Sequence, residues 1–152
     1  MAQALSLEEM KRYLGKEIGV SDWFEISQDR INAFAECTED RQWIHTNPEL
    51  AKKGPYGATV AHAYLVLALL SYFNYQNRYF PAGVKMAVNY GLNRARFMNP
   101  VKAGCRIRNH SVLKDIIEKG QGRILITLEN TVEIEGESKP AAVAENLSMI
   151  FI

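Results

Sequence analysis

The stretch Val60–Phe73, VAHAYLVLALLSYF, is an almost unbroken apolar run. It has about 14 residues, whereas a helix that crosses a bilayer needs about 20. The run also carries His62 and Ser71, and the polar residues Asn74, Gln76, Asn77 and Arg78 follow it. A helix that is apolar on every side yet too short to span a membrane belongs inside a protein. The sequence therefore predicts one long buried helix, roughly residues 60–78, that other parts of the structure must wrap.

The flanking segments supply the wrapping. Ser6 with Glu9 three residues on is a capping box for a short helix over Leu7–Leu14, closed by Gly15. Ile18–Ile26 reads as a strand, and Ser27 caps a second helix over Gln28–Cys37, with Ile31, Phe34 and Ala35 at helical spacing. Glu39–Thr46 reads as a loop. Asn47-Pro48-Glu49 is a helix start, with Asn at the cap and Pro in the first turn, and Gly54 ends that helix. After Pro81 the pattern changes to four extended stretches, Val84–Leu92, Cys105–Ile117, Arg123–Glu135 and Ala141–Ile152, separated by turn residues. Helices followed by a run of strands argue for an α+β class rather than alternating α/β. The simplest architecture is a curved antiparallel sheet around the central helix. A sheet of five or so strands covers only one side of that helix, so a second copy of the chain is expected to complete the cover as a homodimer.

The chain has 152 residues, the length of one domain, and no linker or repeat divides residues 1–152. Its 18 basic and 17 acidic side chains leave a net charge of +1, which argues against a chain built to bind nucleic acid. Met1–Gly15 lacks the apolar core and cleavage site of a secretion signal. Two cysteines, Cys37 and Cys105, are too few for a disulfide framework, so a reduced cytoplasmic setting is expected, with both as small core or edge residues.

Chemistry can come from few places. Asp40 and His45 stand five residues apart in one loop, and a carboxylate beside an imidazole supports proton transfer near neutral pH. On spacing alone the pair reads more readily as a turn-forming aspartate and a polar surface histidine. His62 sits at the start of the apolar run, where free backbone N–H groups, including that of Ala63, can stabilise a developing oxyanion. It can also be a core histidine bonded to a backbone carbonyl. His110 reads as exposed. Three scattered histidines and two scattered cysteines show no metal-ligand spacing, and no phosphate-cradling glycine loop is present, so neither metal nor cofactor is expected. Arg94, Arg96, Lys102, Arg106 and Arg108 form a modest basic cluster, either a solvated face or a site for an anionic ligand. Tyr72, Phe73, Tyr75, Tyr79 and Phe80 crowd the far end of the apolar run, as core packing or as the lining of an acyl pocket.

Taken in order, these elements resemble the MaoC-like dehydratases, the hotdog-fold (R)-specific enoyl-CoA hydratases, and above all their nodulation-protein-N-like branch. The resemblance rests on Ser27–Glu36 leading to Asp40, on Asp40-x4-His45, on Asn47-Pro48-Glu49-Leu50-Ala51, on Val60-Ala61-His62-Ala63, and on Asn89–Phe97 followed by Pro100–Gly104. It covers about half of the chain. It implies a hotdog, usually dimeric, in which a long helix is wrapped by an antiparallel sheet. It also implies reversible hydration of a trans-2-enoyl thioester to an (R)-3-hydroxyacyl thioester carried on CoA or acyl carrier protein. By resemblance Asp40 and His45 hold and activate the water, the Ala63 N–H receives the thioester oxygen, and His62, Tyr64, Arg94 and Arg96 contribute to substrate binding. The chain departs from the family pattern in three places. Ala63 replaces a glycine, Gln42-Trp43 replaces an Asn-Pro pair, and Asn47 stands where an acid is common. A hotdog thioesterase and a non-catalytic acyl-thioester binder are the alternative readings.

Overall fold

A computed structural model describes residues 2–152; Met1, part of the amino-terminal segment read above, lies outside the described residues. In chain order the elements are β1 (Gln3–Leu5), α1 (Leu7–Lys11), β2 (Glu17–Val20), β3 (Phe24–Glu25), α2 (Gln28–Thr38), α3 (Trp43–Thr46), α4 (Pro48–Ala51), α5 (Ala63–Ala68), α6 (Leu70–Asn74), β4 (Tyr79–Pro81), β5 (Met86–Phe97), β6 (Arg106–Gly120), β7 (Arg123–Ile134) and β8 (Ala142–Phe151).

Most of the expected elements form where local chemistry placed them. The Ser6–Glu9 capping box is present in full, although α1 is shorter than expected and stops at Lys11. Ser27 accepts the backbone N–H of Arg30 to start α2, and Asn47 accepts that of Leu50 to start α4. The four extended stretches become β5 to β8, long antiparallel strands that pair in the order β2-β6-β7-β8-β5, with β3 also on β6. The expected strand over Ile18–Ile26 is split into β2 and β3, both laid against β6.

Three expectations are corrected. The apolar run is not one helix over 60–78. Val60–His62 is extended because Val60 bridges Lys102 and the Ala61 N–H donates to the Val101 carbonyl at 2.7 Å. Helix begins only at Ala63 and is interrupted at Leu69 between α5 and α6. The chain itself covers part of the run. Leu65, Val66, Leu70 and Phe73 pack into the core, while Tyr64, Tyr72 and Tyr75 stand exposed on the isolated chain. The loop Glu39–Thr46 contains a helical turn, α3, which no sequence signal announced: Glu39 ends α2 in the left-handed region at φ 62 without being glycine, and Gln42 makes no side-chain cap. Cys37 is exposed and Cys105 half-buried; neither is in the deep core.

The inner face of the sheet carries two apolar clusters. One joins Ile26, Ile31, Leu65, Val66, Leu70, Phe73, Ile107, Val132 and Ile134. The other joins Leu5, Met10, Ile18, Leu113, Ile124, Ile126, Leu128 and Ile150. Between them runs a buried polar belt. Strand alternation puts Asn109 and Ser111 on the same face of β6 as Ile107 and Leu113, with Asn130 facing inward on β7 and Asn146 on β8. Asn109 donates to Asn130 at 2.8 Å, Asn130 donates to Asn146 at 2.5 Å, and Asn74 on α6 joins the belt at Ser111, 3.0 Å away. Buried amides are tolerated where they bond one another, and here every amide of the belt is engaged across the three strands, although the Asn109 Oδ1 finds no partner among the described residues.

Strand β5 closes one side of the sheet. It pairs with β8 along one edge, while its side chains Met86, Val88, Tyr90, Leu92 and Phe97 are exposed. Among the described residues, no helix is long and apolar enough to cross a membrane.

Candidate active site

The α2–α3 junction and the start of α5 meet over one pocket, lined among others by Asp40, His45, Ala61, His62, Ala63, Tyr64 and Phe97. Gln28 on α2 holds this corner together. Its amide donates to the His45 carbonyl at 2.8 Å, and its oxygen accepts the Thr59 hydroxyl. The turn α3 then aims His45 at the extended segment before α5, where its Nδ1 lies 2.6 Å from the Val60 carbonyl oxygen. A carbonyl can only accept, so Nδ1 carries the proton and Nε2 is left with its lone pair. His45 is 7% exposed, and burial holds its pKa below the ordinary imidazole value, against the opposing pull of the Val60 bond. The side chain is therefore neutral at pH 7, with a basic nitrogen available for proton transfer.

His62 lies behind it. The two rings stack with centroids 3.7 Å apart, and the Nε2 of His62 donates to the Asp40 backbone carbonyl at 2.8 Å. At 2% exposure, His62 is the core histidine bonded to a backbone carbonyl that the sequence allowed, and it ties the Asp40 loop to the start of α5. Its Nδ1 has no hydrogen-bond partner among the described residues. The Asp40 side chain is 56% exposed at the pocket rim, with a carboxylate oxygen 3.9 Å from His62. Ligand atoms of Asp40, His45 and His62 all lie within 4.8 Å of one another, so the fold brings His62 to the pair that the loop already holds. Such a set invites comparison with a metal centre. The nitrogens that face Val60 and Asp40 are committed as donors to carbonyls, which leaves one nitrogen on each ring. The donor set is better suited to holding a water between carboxylate and imidazole.

Ala63 is the first residue of α5, and its N–H makes no backbone hydrogen bond among the described residues. This is the orphan donor that every helix start presents, here opening into the same pocket. Tyr64, 69% exposed, stands edge-on to Phe97 at 5.9 Å and forms the pocket wall toward β5.

A family model described as "MaoC like domain" matches residues 9–135. The chain belongs to the MaoC-like family. It is thereby a hydratase/dehydratase of the MaoC type, a hydro-lyase, as the ordered motifs implied. Among curated proteins the MaoC-like chain is 45% identical over 142 residues to "3-hydroxyacyl-thioester dehydratase Z" of Mycobacterium tuberculosis, covering 93% of each chain. It is 42% identical over 147 residues to "Nodulation protein N" of Rhizobium leguminosarum, covering 96% of this chain and 91% of that one. Among solved structures it superposes on the "(R)-hydratase from A. caviae involved in PHA biosynthesis" with a TM-score of 0.73 at 20% identity, over 97% of this chain and 98% of that one. That likeness establishes the hotdog, and with it the α+β class read from the sequence.

The basic cluster does not come together as one patch on this MaoC-like fold. Arg94 is paired with Glu129 and lies 3.7 Å from Glu145, Arg106 is paired with Glu135, and Arg108 bonds Glu133 at 2.6 Å. Arg96 and Lys102 are exposed and have no carboxylate partner among the described residues. His110 is not fully exposed, as its sequence context had suggested. It is half-buried between Glu17 and Glu133, 2.9 Å from each.

Sequence reasoning passed over Gln28, Val60 and the amide belt. The belt had a signal: Ile107, Asn109, Ser111 and Leu113 alternate onto one face, so two polar residues stand at apolar positions. Gln28 and Val60 had none, because each acts through a bond to a residue distant in sequence.

Proposed function

We propose that the chain is a cytoplasmic enzyme that reversibly hydrates trans-2-enoyl thioesters to (R)-3-hydroxyacyl thioesters. The observation that carries this reading is the convergence, in one pocket, of the Asp40 carboxylate, a neutral His45 with its basic Nε2 unclaimed, and the unpartnered N–H of Ala63. Water sits between Asp40 and His45. His45 takes its proton as the oxygen attacks the β-carbon, and Asp40 accepts the second O–H and keeps the water in place. Negative charge builds on the thioester oxygen, where the Ala63 N–H receives it. The pair then relays the proton to the α-carbon, so that one H and one OH have been added. His62 acts from behind, holding the Asp40 loop and the His45 ring, and Tyr64 walls the pocket.

The CoA or carrier-protein phosphate falls to Arg96 and Lys102, since carboxylates already neutralise Arg94. A homodimer fits the exposed apolar side chains of β5 together with Tyr64, Tyr72 and Tyr75, which a second copy would cover. The relative whose name specifies a 3-hydroxyacyl-thioester dehydratase supports the same substrate class.

Crotonyl-CoA tests the reading. Loss of the enoyl absorbance with no free thiol is expected, and thiol release without hydration would refute it. Solution mass tests the dimer, since a stable particle of one chain's mass contradicts it.

A further inference from the structure

The aim of His45 is set from outside its own helix. Turn α3 has four residues and no side-chain cap at Gln42, too little to hold a conformation by itself. Val60, which receives the His45 ring, lies in a segment that the rest of the fold pins. The Ala61 N–H donates to the Val101 carbonyl at 2.7 Å, and the Ala103 N–H donates to the Thr59 carbonyl at 2.9 Å. Two bonds join turn and segment directly: the Val60 N–H donates to the Ile44 carbonyl at 3.0 Å, and His45 Nδ1 donates to the Val60 carbonyl. Gln28 adds a third link from α2. Its amide donates to the backbone carbonyl of His45, and its oxygen accepts the hydroxyl of Thr59, one residue before Val60. A carbonyl only accepts, so Nε2 must face His45, and its second hydrogen goes to Asn32 Oδ1 at 2.9 Å, one turn along α2. Helix α2 has 11 residues and is anchored by the buried Ile31 and Ala35, so the clamp stands on a firmer element than the turn it holds. Thr59 is buried, and neither Thr59 nor Gln28 lines the active-site pocket.

We propose that Gln28 and Thr59 are positioning residues for the general base: through one side chain they lock the carbonyl of His45 to the peptide before Val60, and so keep the His45 ring with Nδ1 on Val60 and Nε2 free for the water. This deepens the hydratase reading and rests on it for the role of His45. Without the clamp the turn is held only at its bonds to Val60. The ring then swings, or moves its proton to Nε2, and neither state offers a base to the water. Misplacing a reacting group by about 1 Å can cost roughly 10²-fold, so a bond that never meets the substrate can govern the rate.

The experiment measures crotonyl-CoA hydration, with kcat and KM resolved, beside thermal melts and nitrogen NMR of the histidine rings in labelled protein. The variants are Gln28→Leu, Thr59→Val, Thr59→Ser and the combination of the first two. The chain has three histidines, and the signals lost in His45→Ala identify that ring. Wild type is expected to show His45 protonated at Nδ1. Gln28→Leu and Thr59→Val are each expected to lower kcat about tenfold or more, to leave KM within about threefold, and to show the His45 proton shared between both nitrogens. Thr59→Ser keeps the hydroxyl and is expected to recover most of the loss. The combined variant is expected to be no more than about threefold slower than the worse single one, because both changes break one clamp. Folded single variants with wild-type kcat and wild-type His45 signals overturn the proposal. So do losses that multiply in the combined variant, or that serine does not recover. If wild type leaves crotonyl-CoA untouched, the hydratase reading falls by itself, and the ring signals still decide the clamp: altered in Gln28→Leu they support it, unchanged they overturn it.

Discussion

Replacing Ala63 by proline separates the backbone donor from everything else at this site. Ala63 is the first residue of α5, where proline is favoured, and its N–H bonds no carbonyl among the described residues, so the substitution removes no hydrogen bond seen there. The preceding residue must be extended, and His62 already is, at φ −58 and ψ 135. Proline at a compatible position is neutral or stabilising by about 0.4–1 kcal/mol, a few degrees at most in a chain of this size. Loss of a single oxyanion donor costs about 2.7–4 kcal/mol, or roughly 10²–10³ in kcat. Ala63→Pro is therefore expected to melt at or slightly above the wild-type temperature while hydrating crotonyl-CoA hundreds of times more slowly. Ala63→Gly keeps the N–H and is expected to stay within several-fold of wild type, which separates the donor from the shape of the methyl group. The assay is the initial rate of enoyl absorbance loss, with kcat and KM resolved, beside a thermal melt. A folded proline variant that works at near-normal rate would refute the role assigned to this N–H.

Further outcomes follow from the same structure. Burial keeps His45 below the ordinary imidazole range, so the acid limb of kcat/KM is expected below about pH 6.5, and His45→Ala should abolish hydration without loss of fold. Partial burial alone would lower His110, but its bonds to Glu133 and Glu17 prevail and its pKa is raised. That contribution to stability is complete below the unfolded value of about 6.5 and is lost as pH rises through the folded one, so the stability gap between wild type and His110→Gln should close toward alkaline pH in denaturant titrations. A Cβ on Gly19 would lie 2.6 Å from Asn77 Oδ1 and 2.7 Å from its Cα, so Gly19→Ala is expected to cost about 1–3 kcal/mol and lower the melting temperature by several degrees.

What could be read from the sequence was what local chemistry decides. The caps at Ser6, Ser27 and Asn47 depend on bonds three residues long, and strands β5 to β8 on alternation within each strand. Asp40 and His45 were visible as a pair because five residues of one loop connect them. What escaped depends on partners far along the chain. The three-residue strands β1 and β4 exist only because they pair with each other in parallel, and Val60–His62 leaves the helix only because Val101 and Lys102 bond it. The bonds that fix the His45 tautomer and tie His62 to Asp40 span 15 and 22 residues. The clustered arginines could be read as a solvated face or as an anion site because the glutamates that neutralise them sit on neighbouring strands.

Hydration in water labelled with heavy oxygen, followed by mass spectrometry of the products, tests the central claim most directly. If Asp40 and His45 deliver water to the β-carbon, the label appears in the 3-hydroxyl group of an intact (R)-3-hydroxyacyl thioester and vanishes from the products of His45→Ala. Label found instead in the carboxylate of a free acid, with thiol released, would contradict it.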